Sequence, residues 1–176
     1  QQNSDTICFV DNCYGEFIES QEPNDVGADL IAGSLIKNPG GTIATAGGYV
    51  AGRADLVEAA CCRLTSPGIG SHGGATFDQH RLLFQGLFLA PQMVGEAMKG
   101  CHLTGHVFQQ LGYPVNPLPN APRRDIIQAS QLGSPEKLKA FCRAIQQNSP
   151  VGSYLDPVPG EMPGYESELV MAGGTF

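Results

Sequence analysis

Basic residues are scarce in this chain: ten Lys and Arg against seventeen Asp and Glu leave a formal net charge of −7 over 176 residues. Nucleic-acid and anionic-membrane surfaces rely on clustered Lys and Arg, and the one basic cluster is Arg123-Arg124, so neither partner is expected. Long apolar runs are missing too. No stretch approaches the roughly 18 residues a membrane span needs, no secretory signal is visible, and no Asn-x-Ser/Thr acceptor occurs. The six cysteines (Cys8, Cys13, Cys61, Cys62, Cys101, Cys142) include no C-x-x-C pair and fall mostly in strand or helix patterns, which reads as reduced, buried, small apolar residues. A soluble cytoplasmic protein is the expectation. The chain opens without methionine and stops in the apolar run 169–176, which reads as a central piece of a longer protein.

Short apolar segments alternate with turn-rich ones. Thr6 to Val10 and Ala28 to Ala32 read as strands joined through a turn region containing Pro23, Asn24 and Asp25, and Thr42 to Ala51 is a third strand candidate broken by Gly47-Gly48. Such strands suggest a mostly parallel sheet covered on both faces. Asp55 to Leu64 reads as a helix. Asp78 to Leu111 carries the longest helical pattern, with Pro91 expected to kink or divide it. After a proline-rich break, Arg124 to Ala129 is a strand candidate, and Ser134-Pro135-Glu136 is a strong helix start with Ser as cap. A last strand is expected in 169–176. The domain expectation is therefore 1–114 and 115–176, the second smaller.

One residue demands a chemical account. Lys37 ends the run Gly27-Ala28-Asp29-Leu30-Ile31-Ala32-Gly33-Ser34-Leu35-Ile36-Lys37 and enters the glycine- and proline-rich turn Asn38-Pro39-Gly40-Gly41. A lysine directly after Leu35 and Ile36 is expected to be desolvated, which lowers its pKa and frees the amine for a Schiff base. Asp11, at the end of Cys8-Phe9-Val10-Asp11, supplies the acid that a pyridoxal phosphate ring nitrogen requires. Tyr14, three residues on, is placed to hydrogen-bond the cofactor's phenolic oxygen. Ser34 and the amides of the glycine-rich turn are placed to contact its phosphate.

These residues carry a family resemblance. Asp11-Asn12-Cys13-Tyr14-Gly15-Glu16-Phe17 with Gly27 to Gly41, then Arg63-Leu64-Thr65-Ser66-Pro67-Gly68-Ile69-Gly70, Arg81 to Pro91 and Met162-Pro163-Gly164-Tyr165, resembles the fold type I pyridoxal phosphate enzymes. Within them it is most similar to the methionine gamma-lyase-like family, often labelled aluminium resistance proteins or cystathionine lyases. The resemblance implies an α/β architecture: the later half of a fold type I large domain, with a mostly parallel sheet flanked by helices, and the start of a small α+β C-terminal domain. It implies pyridoxal 5'-phosphate as cofactor, Lys37 as the Schiff-base residue, Asp11 as the ring-nitrogen partner, Ser34 on the phosphate, and Tyr14 beside the ring. It also implies a small amino-acid substrate of cystathionine or methionine type, a carbon–sulfur elimination, and a homodimer or homotetramer. The phosphate loop, the ring-stacking aromatic and the substrate-carboxylate arginine are expected outside these residues.

Other readings compete. Transamination or racemisation starts from the same chemistry, and a non-catalytic piece retaining the fold would show the same residues. Ser34-Leu35-Ile36-Lys37 matches the S-x-x-K motif of serine acyl-transfer enzymes, but no Ser-Asp-Asn or Lys-Thr-Gly follows. His102 and His106 share a helical spacing, yet they lack the Glu of H-E-x-x-H and a nearby carboxylate ligand, so no metal is expected there or at His72 and His80. Lys37 itself would otherwise be a turn lysine before Pro39. Asp11 would be a carboxylate capping a turn, Tyr14 a packing aromatic, and Ser34 a hydroxyl bonded to local backbone.

Overall fold

In the computed structural model, residues 5–171 are described. The chain divides into two compact units, Gln1–Thr104 with Pro119–Gln128, and Gly105–Leu118 with Ala129–Phe176.

The first unit holds a three-stranded sheet in the order β1 (Phe9–Asp11), β2 (Leu30–Ser34), β3 (Gly48–Gly52). β1 runs parallel to β2, pairing Phe9 with Leu30 and Asp11 with Ala32, whereas β3 returns antiparallel, pairing Ser34 with Gly48 and Leu30 with Gly52. The sequence reading of a fold type I large domain with a mostly parallel sheet, continued by the start of a small α+β domain, is corrected here. Among the described residues there are three α-helices, this mixed sheet, and a two-stranded antiparallel sheet. The reason lies in the connection between β2 and β3. A parallel return needs a crossover, usually a helix, but Asn38-Pro39-Gly40 forms only a 3-10 turn that ends at Gly41 with φ 53°, and the chain folds straight back. More than half of the expected third strand, Thr42 to Gly47, is consumed by that reversal.

α1 (Ala54–Leu64) follows β3 directly, its start held by Arg53, which pairs with both Asp29 and Asp55 at 3.2 and 2.7 Å. α2 (His80–Gln110) is one continuous helix with Pro91 inside it, where the sequence suggested a kink or a division; it is not divided. Proline removes one backbone bond, but Ala90 and Val94, 0% and 3% exposed, anchor the helix on both sides of the break. α2 backs the Lys37 turn at its glycines. A Cβ on Gly41 would come within 2.9 Å of the Gly86 carbonyl carbon, and one on Gly86 within 2.8 Å of the Gly40 carbonyl carbon. Only hydrogen in place of both side chains allows the turn and the helix to meet.

The segment Pro119–Gln128 closes this unit. Residues 124–126 are bend and 127–128 irregular rather than the expected strand, because the Asp125 carboxylate accepts the Ile127 N–H at 2.9 Å and curls the chain. Arg123 is buried and donates to the Ile127 and Cys101 carbonyls and to Gln128. The Cys101 thiol donates to the Ile126 carbonyl, and the Ile126 N–H donates to the Tyr14 carbonyl at 3.3 Å. Arg124 pairs with Glu19. The one basic cluster is thus spent on internal contacts.

In the second unit β4 (Val115–Asn116) pairs antiparallel with β5 (Ala129–Ser130). α3 (Pro135–Gln147) begins as the sequence predicts, with the Ser134 hydroxyl accepting the Lys137 N–H at 3.3 Å and Pro135 in the first turn. Phe108, on the last turn of α2, packs edge-on against Phe141 of α3 and tilted against Tyr113. Arg143 binds Asp156 through two nitrogens, at 2.6 and 3.0 Å, and fixes the loop after α3. Of the last expected strand, Leu169 bridges Gly160 and residues 172–176 lie outside those described.

Apolar burial is thin: among the described residues Ile31, Ala90, Val94 and Cys142 are buried, with Pro39, Pro119 and Pro157, while Phe84 and Phe88 are 70% and 83% exposed. The six cysteines are free, but only Cys142 is buried, contrary to the expectation for all six. No helix among the described residues is long and apolar enough to cross a membrane.

Candidate functional site

The C-terminal ends of β1 and β2 bring two loops together. Asp11 is the last residue of β1, level with Ala32 of β2, and its carboxylate accepts the Cys13 N–H at 3.1 Å, forming the turn that carries Tyr14. The Cys13 side chain first, then that backbone bond and the positive charge of Lys37, hold the Asp11 carboxyl below the usual aspartate value despite some desolvation. Asp11 is accordingly ionised at neutral pH.

Tyr14 sits at φ 73°, a left-handed conformation that a non-glycine residue adopts only when its surroundings impose it, and Phe17 in the same loop sits at φ 66°. The strain sets the Tyr14 ring beneath Lys37, whose Nζ lies 4.6 Å from the ring centroid. Here the sequence expectation is corrected. Desolvation is the largest single influence on Lys37 and pulls its pKa down. The charged forms of Tyr14 and Cys13 and hydrogen bonds to both together outweigh it, so the pKa stands above the ordinary lysine value. The amine is partly accessible and protonated at neutral pH rather than desolvated and free.

Ser34 ends β2. Its Oγ accepts the Ile36 N–H at 3.4 Å and its carbonyl accepts the Lys37 N–H at 3.3 Å, so it shapes the turn while its own hydroxyl proton stays uncommitted in the first of these bonds. The glycine amides behave otherwise than expected. Gly40 N–H donates to the Lys37 carbonyl at 2.9 Å and Gly41 N–H to the Asn38 carbonyl at 3.3 Å, which commits both inside the turn.

Four residues not singled out by the sequence complete the surroundings. Glu16, 4% exposed, accepts the Tyr49 hydroxyl proton at Oε1, 2.8 Å away, and its Oε2 is buried without a hydrogen-bond partner. Asn12 donates to Glu22 at 2.8 Å and to the Tyr49 oxygen at 3.2 Å. Burial first, and the negative charge of Glu22 in addition, raise the Glu16 pKa against the hydrogen bonds that lower it. Burial and the neighbouring Glu16 push the Tyr49 hydroxyl far up. The signal in the sequence was Gly33, inside a strand, where glycine marks a close approach: a Cβ there would come within 2.6 Å of Glu16 Oε1 and collide with the Tyr49 ring.

The histidines take no part. The His102 ring nitrogen Nδ1 lies 2.7 Å from the Pro119 carbonyl, and His80 Nδ1 lies 3.5 Å from the Thr76 hydroxyl.

An ionised carboxylate at a strand end, a lysine amine on the adjoining turn, a tyrosine against that amine and a serine hydroxyl at the turn's start form a donor set that suits an aldehyde cofactor bearing a basic ring nitrogen and a phosphate. Comparison with known proteins bears on the chain as a whole. Uncharacterized protein YnbB of Bacillus subtilis (strain 168) is 50% identical over 174 residues, 99% of this chain and 41% of its own length. Two solved structures superpose over 97% of this chain: a putative cystathionine beta-lyase involved in aluminium resistance from Listeria monocytogenes, with 50% identity, TM-score 0.90 and 42% of its length covered, and a carbon–sulfur lyase involved in aluminium resistance from Clostridium novyi NT, with 49% identity, TM-score 0.89 and 40% covered. The chain thus spans less than half the length of these relatives. The family model for methionine gamma-lyase matches residues 1–176, and the chain belongs to that family.

Proposed function

We propose that this chain carries the cofactor-anchoring lysine of a pyridoxal phosphate-dependent carbon–sulfur lyase acting on a sulfur amino acid of cystathionine or methionine type. The observation that carries the reading is the seating of Lys37 Nζ, 4.6 Å over the Tyr14 ring, beside the Cys13 turn that the Asp11 carboxylate organises. Family membership and the names of the solved relatives support the class of reaction.

Bound pyridoxal phosphate supplies an electron sink, a ring that accepts the charge left on a substrate carbon when its proton departs. The residues of this chain provide the rest. Asp11, ionised at neutral pH, keeps the proton on the ring nitrogen. Lys37 is the covalent anchor and, once its amine is neutral and displaced by the substrate's amine, takes the Cα proton at Nζ. Ser34 offers its hydroxyl proton to the phosphate and Tyr14 offers its hydroxyl to the ring oxygen. Nζ, then carrying that proton, would return it to the departing sulfur, so that a thiol leaves. The proposal extends to a homodimer or homotetramer of the intact protein, as the family resemblance implies.

The test is Lys37→Ala in the intact protein. Loss of the cofactor's protein-bound visible absorption, after reconstitution with pyridoxal phosphate, is expected; an unchanged spectrum would remove Lys37 from this role.

A further inference from the structure

Lys37 and Asp11 stand on separate loops, and the distance between them depends on whatever ties those loops together. Glu16 does so from both ends of its residue. Its backbone carbonyl accepts the Asn38 side-chain N–H at 3.0 Å, so the residue after Lys37 is pinned to the loop that begins at Asp11. Its side chain accepts the Tyr49 hydroxyl at 2.8 Å, which pins that loop to β3 across the strand that delivers Lys37. Asn38 and Glu16 are each buried, 6% and 4% exposed, so the bond between them is sheltered from competing water and the Tyr49 bond is partly so. Gly33, next to Ser34, leaves the space that the Glu16–Tyr49 pair fills. Glu16 Oε2 is the one buried side-chain oxygen of this cluster without a partner, and the charged or titratable groups around it are Tyr49 and Glu22, with Asn12 between them.

We propose that Glu16, braced by Tyr49, is a positioning residue for the cofactor site: it fixes the Lys37–Asn38 turn against the Asp11–Tyr14 loop and touches neither cofactor nor substrate. The inference rests on the pyridoxal phosphate reading above. Toward Tyr49 its Oε1 acts as a hydrogen-bond acceptor, a role that the amide oxygen of glutamine can also fill. Removing the side chain leaves the Tyr49 hydroxyl buried without its acceptor and loosens the loop that Asn38 holds.

The experiment compares Glu16→Ala, Glu16→Gln, Tyr49→Phe and Lys37→Ala in the intact protein, reading equilibrium binding of pyridoxal phosphate to the apoprotein and the position of its bound visible band. Glu16→Ala and Tyr49→Phe are expected to weaken binding by about tenfold or more, as loss of a buried hydrogen-bond partner does, and to shift the band. Glu16→Gln is expected to restore both. Wild-type affinity and an unshifted band in Glu16→Ala and Tyr49→Phe overturn the brace, as does Glu16→Gln failing as badly as Glu16→Ala. Should Glu16→Ala not fold, Tyr49→Phe, which keeps the ring, decides alone. Lys37→Ala separates the two claims. If it abolishes the band while the Glu16 and Tyr49 variants leave binding intact, the cofactor reading stands and the brace falls; if it leaves the band, both fall.

Discussion

The Lys37 ammonium rests over the Tyr14 ring at 4.6 Å from its centroid, on a tyrosine held at φ 73°. A non-glycine residue in that conformation costs on the order of 1 kcal/mol or more, and such strain collects where a site needs a side chain in one place. The arrangement keeps the amine charged. Desolvation acts against the charge, yet the charged forms of Tyr14 and Cys13 raise the Lys37 pKa overall.

The first prediction follows from that direction. Covalent attachment of pyridoxal phosphate requires the neutral amine, so attachment to the apoprotein should accelerate as pH climbs from about 7 to about 9, well below the lysine pKa. Tyr14→Phe keeps the ring under the ammonium but removes the hydroxyl whose interaction with the amine raises the Lys37 pKa, so the profile should move toward lower pH. Stopped-flow absorbance measures this, and a profile unmoved or displaced upward contradicts it. The linkage has the matching sign: stability contributed by the raised Lys37 pKa is fully present below the unfolded value near pH 10.4 and is lost as pH rises through the folded one.

Close approach of the Lys37 turn to α2 gives the second. Gly86→Ala places a methyl against the Gly40 carbonyl, backbone against backbone, where nothing flexible can give way. A loss of about 1–3 kcal/mol in unfolding free energy is expected, as for overpacking. Urea titration reads it. Gly95→Ala, on the same helix with open space around its Cβ, should be neutral or slightly stabilising and serves as the control.

The third concerns pH and Glu16. Its folded pKa is raised, chiefly by burial. A raised carboxyl binds its proton better in the folded chain, so its contribution is fully present below the unfolded value near pH 4.3 and is lost as pH rises through the folded value. Glutamine cannot ionise. The stability of the wild type relative to Glu16→Gln should therefore decline as pH rises above about 4.3, and denaturation midpoints over that range check it. A difference that stays flat or grows would place the carboxylate form in the fold instead.

The placing of Asp11 and Ser34 at strand ends, and of Lys37 on the turn that follows, was legible in the sequence because apolar strands bounded by glycine and proline are read directly. Helix α3 was legible through Ser134 and Pro135, whose capping chemistry is local. The direction of β3 was not, because parallel and antiparallel neighbours share one apolar pattern and only the tight turn at Gly41 decides between them. The charge state of Lys37 was missed since Leu35 and Ile36 suggested burial, whereas Ile36 is 47% exposed and the controlling groups, Tyr14 and Cys13, come from another loop. The Glu16–Tyr49 pair lies 33 residues apart in sequence, and no periodicity connects such partners.

The most direct test of the account is borohydride reduction of the intact protein loaded with pyridoxal phosphate, followed by peptide mapping. The account predicts a single pyridoxyl group on the peptide containing Lys37. A protein that incorporates none, or carries it on another lysine with Lys37 unmodified, would contradict it.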